Sequence, residues 1–244
     1  ISVFMKQKFQ VIRALRNTPL FIFGDHASRY IPEEYGNLGL QDDDLCRHIA
    51  WDIGTEVIVR ELCKIFECSG QLASVSRLVI DLNRALSSPS VIPIVSDGTT
   101  IKRNIDLPEL ERKERIDNFY KPYHAGINDS LDKLENPFVI SIHSFTKKPR
   151  LGCFRTVDMG LLVKHDEPSA KRFQNQLSLY GAHLNLGINE PYSAHDLNHT
   201  IDENVAPRSL RHLAIEIRQD HVDTNDKAVM MAGILSNCIK PIID

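Results

Sequence analysis

Twice in this chain a short apolar run leads directly into polar, chemically able side chains: Ser76-Arg77-Leu78-Val79-Ile80-Asp81-Leu82-Asn83-Arg84 and Ile140-Ser141-Ile142-His143-Ser144-Phe145. A buried strand followed at once by reactive groups is how an open α/β sheet presents chemistry at its carboxyl edge. The strand fixes position, and the loop after it leaves room for a ligand. The pattern points to an α/β enzyme.

Composition narrows the class. With 42% apolar and 25% charged residues over 244 positions, the chain has the material for an ordinary globular core, and a single domain over residues 1–244 is expected. The formal net charge is −3, with Lys and Arg dispersed, so nothing favours gripping a phosphate backbone and a nucleic-acid partner is not expected. No apolar stretch approaches the roughly 20 residues needed to cross a bilayer. Residues 1–10 lack the cationic-then-apolar order of a secretion signal, so a cytoplasmic enzyme with no membrane partner is the expectation. The cysteines, Cys46, Cys63, Cys68, Cys153 and Cys238, are odd in number and form no CxxC pair, which argues for reduced thiols over a disulfide framework or a zinc-thiolate site.

Along the chain, residues 20–23 read as a buried strand running into Gly24-Asp25-His26. Residues 42–66 carry Leu45, Ile49, Ile53, Val57 and Leu62 at helical spacing behind three acids, which predicts a helix with His48 and Asp52 on one face. Residues 71–82 read as a strand, and 87–100 as a long loop of the kind that borders sites. Residues 109–134 form an amphipathic helical pattern that Pro122 must kink or divide. Strands are expected at 138–142, 151–157 and 213–218, helices at 169–180 and 223–239, and a loop at 185–208. Glu216 lies inside its strand among Ala214, Ile215 and Ile217, a position where an acid is rare unless paired, metal-bound or reactive.

Four strand ends thus supply His26, the group Arg77, Asp81, Asn83 and Arg84, His143, and Glu216. A hydrolytic metal site explains that convergence economically. Two imidazoles and one carboxylate leave a coordination position on Zn²⁺ for water, whose pKa the ion lowers, and a further carboxylate can take the water's proton. The same donor set also admits Fe, Co or Mn.

At these residues the chain resembles the N-formylglutamate amidohydrolase family and, more distantly, the zinc carboxypeptidases. The stretches that carry the likeness are His26-Ala27-Ser28 with Ile31-Pro32, His48-Ile49-Ala50-Trp51-Asp52-Ile53-Gly54, Ser76-Arg77 through Asn83-Arg84, Tyr123-His124, Ile142-His143-Ser144, Asn189-Glu190-Pro191-Tyr192 and Ile215-Glu216-Ile217-Arg218. The resemblance implies a single domain with a mixed, mostly parallel sheet flanked by helices, as in the zinc carboxypeptidase-like fold. It also implies zinc-dependent hydrolysis of N-formylglutamate or a related N-acyl amino acid. His26 and His143 then correspond to metal ligands and Glu216 to the general base. Arg77 corresponds to the group that polarises the scissile carbonyl, and Asn83 and Arg84 to the pair that grips a substrate carboxylate. The His-x-x-Glu motif of carboxypeptidases is missing, because Arg29 stands three residues after His26 and a permanently charged guanidinium cannot ligate a cation. The third ligand is therefore assigned to Asp52, with Glu33 as the fallback. His124 is a substrate-contact candidate, His195 and His199 receive no role, and Asn204 lies near where family members carry a histidine.

Each assignment has a plainer counterpart. His26 and His143 could cap strand ends, Asp52 could serve only as a partner for His48, Asp81 and Arg84 could form a strand-end ion pair, and His124 could be a satisfied core histidine. The alternative for Asp81 is to orient Arg77 or a metal-bound histidine from behind. At the level of function, the alternatives are a carboxypeptidase-like or other N-acyl amino acid amidohydrolase and a non-catalytic amino-acid-binding module.

Overall fold

The computed structural model describes residues 8–16 and 18–243, so most of the segment read for a secretion signal lies outside the described residues. Nine strands are β1 Phe9–Ile12, β2 Leu20–Gly24, β3 Ser69–Ala73, β4 Val95–Ser96, β5 Thr99–Thr100, β6 Phe138–Phe145, β7 Met159–Leu162, β8 Leu186–Ile188 and β9 His212–Arg218. All but the β4–β5 hairpin form one sheet of seven strands in the order β1-β3-β2-β6-β9-β7-β8. The four central strands, β3-β2-β6-β9, run parallel, while β1 on β3 and β7 on β9 pair antiparallel. This is the expected mixed, mostly parallel sheet.

Seven α-helices are α1 Asp42–Leu45, α2 Thr55–Phe66, α3 Glu109–Arg115, α4 Lys121–Leu131, α5 Glu167–Tyr180, α6 His199–Asn204 and α7 Asn225–Ile243. Among the described residues, none is long and apolar enough to cross a membrane. The period-two alternation of the strands divides the core between the two sheet faces. Leu20, Ile22, Ile140, Ile142, Ile215 and Ile217 join one apolar cluster with residues of α2, α5 and α7. Phe21, Phe23 and Val139 face the opposite side, where α4 and long connections cover the sheet. His143 shares the parity of Val139, so it projects from that second, loop-covered face. Its in-register neighbour across the parallel β6–β9 pair is Glu216.

Five expectations are corrected. The strand expected over 71–82 ends at Ala73, and the chain then turns repeatedly. Ser76 causes this: its hydroxyl donates to Ala50 O and accepts from Leu78 N, so the side chain replaces a ladder with a local turn. Leu78, Val79 and Ile80 are fully buried, each contributing about 1.5–3 kcal/mol, and act as plugs for the core. The first two carbonyls are satisfied by side chains, Leu78 O by Asn104 Nδ2 at 2.9 Å and Val79 O by the buried Arg115 at 3.0 Å.

The strand expected over 151–157 is an irregular segment, with Leu151 76% and Phe154 53% exposed, and the strand lies instead at β7. The single helix expected over 42–66 is broken. Gly54, at φ +83°, starts α2 where a Cβ would lie 2.5 Å from Val222 O, so the chain has to turn before helix can resume. Pro122 is accommodated by a π-turn, Ile116–Tyr120, that joins α3 to α4 without a break. The loop expected over 185–208 contains β8 and α6.

Gly160 on β7 faces Glu216 on β9, and a Cβ there would approach Glu190 O to 2.1 Å. Backbone cannot yield as a flexible side chain can, so Gly160→Ala is expected to destabilise the fold by about 1–3 kcal/mol, read as a lowered urea midpoint.

Candidate metal centre and active site

His26 follows β2 directly, His143 sits two residues before the end of β6, and Asp52 is delivered by the turn before α2, where Asp52 N donates to His26 O at 2.8 Å. All three are at most 5% exposed. One ligand atom from each lies within 4.8 Å of the others. Asp52 Oδ2 stands 3.4 Å from His26 Nδ1 and 2.9 Å from His143 Nδ1. The opposite ring nitrogens point outward to carboxylates: His26 Nε2 lies 2.7 Å from Asp81 Oδ1, and His143 Nε2 lies 3.4 Å from Asp25 Oδ2. A carboxylate behind an imidazole fixes the ring and its tautomer, leaving the inner nitrogen free to donate its lone pair. His26 Nδ1 is buried without a hydrogen-bond partner, the state of an atom placed for a ligand from outside the chain. The donor set fits a divalent transition metal.

The electrostatics favour positive charge at this position. Asp25, Asp52, Asp81 and Glu216 are all buried around these histidines, with Arg77 the principal counter-charge. Burial opposes ionisation of Asp25, but His143, 3.4 Å away, and the field of His26 hold its carboxyl below the usual range. Asp81 is likewise held below the usual range: burial again opposes, while His26, Arg77 and Arg84 prevail. His26 is pushed down, chiefly by burial and then by Arg77. His143 is pushed up, because Asp25 and Glu216 outweigh its burial, which expresses the surplus of negative charge around it.

His26, Asp52, Asp81 and His143 border a cavity of about 120 Å³ that also includes His48, Arg77, Asn83, Arg84, Ser144, Tyr192, Leu197 and Glu216. Burial raises the Glu216 carboxyl above its ordinary range, and the neighbouring His143 and Arg77 offset this only in part. Glu216 Oε2 is buried without a hydrogen-bond partner. Arg77 Nη2 is hydrogen-bonded to Asp52 Oδ1, so it orients the carboxylate while bordering the cavity. Arg84 is one-third exposed, with Nε 3.9 Å from Asp81 Oδ2, and Asn83 Oδ1 accepts from Thr200 N at 2.9 Å.

Of the other sequence candidates, Glu33 is exposed on the turn Glu33–Tyr35 and is not in the ligand cluster. His124 does not border the cavity. Its Nε2 donates to Leu82 O at 3.0 Å and its Nδ1 accepts from Asn204 at 2.9 Å, so it braces the turn that carries Asn83 and Arg84. Tyr120 braces the same turn by donating to Arg84 O at 2.9 Å, and is itself 2.6 Å from His199 Nε2. His195 is exposed. His48 Nδ1 lies 3.5 Å from Asp52 Oδ1, the proximity expected of a shared helix face but achieved in the turn before α2. The sequence reading gave no role to Asp25 or Tyr192. The signal for Asp25 was an acid adjoining a ligand histidine at a strand end, and for Tyr192 the segment Asn189-Glu190-Pro191-Tyr192.

Comparison with known proteins places the chain among amide-hydrolysing α/β enzymes. It belongs to the N-formylglutamate amidohydrolase family, whose model matches residues 18–222. Among solved structures it is similar to a gene product of Agrobacterium tumefaciens, with 32% identity, TM-score 0.89 and coverage of 97% of this chain and 96% of that one. An N-formylglutamate amidohydrolase from Ralstonia eutropha shares the fold at 17% identity and TM-score 0.70, covering 96% of both chains. Comparison with curated proteins returns no match.

Proposed function

We propose that the protein hydrolyses the amide bond of N-formylglutamate or a related N-acyl amino acid, with a divalent metal, zinc by the character of the donors, held by His26, Asp52 and His143. The observation that carries this reading is the convergence of His26 Nδ1, His143 Nδ1 and Asp52 Oδ2 beside the unpartnered, buried Glu216. A metal held there supplies Lewis acidity and lowers the pKa of water.

The protein's own groups divide the remaining work. Glu216, whose carboxyl burial raises above its ordinary range, takes a proton from the attacking water. The water oxygen bonds to the carbonyl carbon, the C–N bond breaks, and Glu216 returns the proton to the leaving nitrogen. Arg77 offers positive charge to the oxyanion that develops on the carbonyl oxygen. Arg84 and Asn83 hold the amino acid's carboxylate, with Arg84 in the forked geometry a guanidinium allows. His124 and Tyr120 act through that pair by fixing its backbone.

Asp81 holds His26 from behind, so Asp81→Asn is expected to weaken metal affinity about 10–100-fold while leaving the fold intact, as measured by competition with a chromogenic chelator. The reading as a whole is tested by formate release from N-formyl-L-glutamate. Activity is expected to vanish on chelation and return with one equivalent of zinc. Undiminished turnover by the metal-stripped protein contradicts it.

A further inference from the structure

The cavity beside the ligand cluster shares part of its wall with a neighbour. His48, Arg77 and Tyr192 also border a second, larger chamber of about 470 Å³, whereas Asn83 and Arg84 border only the smaller cavity. The chamber wall is basic: Arg47, Arg77, Lys148, Arg150 and Arg155 line it with one carboxylate, Asp97, although Arg47 and Arg150 also lie beside Asp44 and Arg77 is paired with Asp52. Asp97 is already engaged, by Arg47 Nη2 at 3.1 Å and by Leu151 N at 3.2 Å. Lys148 has no acidic partner among the described residues, and Arg155 lies 4.7 Å from the Tyr192 ring at the junction of the two spaces.

This arrangement has a direction. A substrate whose amino-acid carboxylate is held by Arg84 spans the small cavity with its amide at the centre, so its acyl end points past Arg77 and Tyr192 into the basic chamber. A formyl group has no atoms to place there. Resting on the function proposed above, we infer that the acyl group is a dicarboxylic acid joined to the amino acid as a half-amide, with its free carboxylate held in the chamber by Lys148, Arg150 and Arg155. Hydrolysis adds water across the C–N bond and releases the dicarboxylate and the amino acid, with no co-reactant.

The test compares N-succinyl-L-alanine with its near-isosteric neutral counterpart, N-succinamoyl-L-alanine, and with N-formyl-L-glutamate, on wild-type enzyme and on the double variant Lys148→Gln, Arg150→Gln. The succinyl compound is expected to have the highest kcat/KM, about tenfold or more above the succinamoyl compound, as one charge-assisted contact allows. The double variant is expected to lose most of that preference while retaining its rate on the neutral compound. Equal rates on the two, a preference that survives in the double variant, or N-formyl-L-glutamate as the best substrate overturns the inference. If none of the three is hydrolysed, the proposed amide hydrolysis fails instead, and calorimetry with succinate decides the chamber separately. Binding to wild type that the double variant loses supports an anion site there, and no binding, or equal binding to both proteins, refutes it.

Discussion

Glu216→Gln is expected to lower kcat about 10²–10⁴-fold with the metal retained and the fold unchanged. The substitution keeps size and shape but removes the ability to accept a proton. It should be tolerated because Glu216 Oε2 makes no hydrogen bond that the amide would break. Its register opposite His143 places it beside the ligand cluster, and the side chain does not belong to that cluster. KM should change little, since the carboxylate-binding pair is on another element. A variant with wild-type kcat would remove Glu216 from the chemistry.

The second large effect concerns the ligands. His26→Ala is expected to abolish stoichiometric metal binding and with it turnover. The variant also loses the bond to Asp81, leaving that buried carboxylate to Asn83 N and Arg84, at a stability cost of about 1–3 kcal/mol. His48 supplies the control. It is half-buried, but its Nδ1 is buried without a hydrogen-bond partner, 3.5 Å from the other oxygen of Asp52. It nevertheless has no carboxylate behind it and lies outside the cluster. His48→Ala should therefore keep one metal per chain, measured by inductively coupled plasma spectrometry on gel-filtered protein. The reverse result, metal lost with His48 and kept without His26, would exchange their roles.

Much of the centre is legible in the sequence because its residues sit at the ends of strands that must be buried. The runs before His26 and around His143 and Glu216 are continuously apolar, as central parallel strands are, and an acid at 216 is conspicuous in that setting. Leu78, Val79 and Ile80 mislead for an instructive reason. Their hydrophobicity reports burial correctly, but periodicity over so short a run cannot distinguish a strand from a plugging turn, and the backbone partners that settle it, Asn104 and Arg115, lie far along the chain. Asp52 is reachable by its spacing from His48, yet the turn that brings it to His26 depends on Gly54 and its close approach to Val222, a tertiary contact. Asp25 shows the same limit: being next to His26 in sequence, it supports His143 in space.

The central claim is that one metal is held by the inner nitrogens of two histidines and by Asp52. An anomalous-difference map at the zinc edge, from crystals grown with zinc, tests it directly. The expected result is a single strong peak ligated by His26 Nδ1, His143 Nδ1 and Asp52 Oδ2, with Asp81 and Asp25 behind the two rings. A peak bound through the Nε2 atoms, one seated on other residues, or no peak at this position contradicts the account.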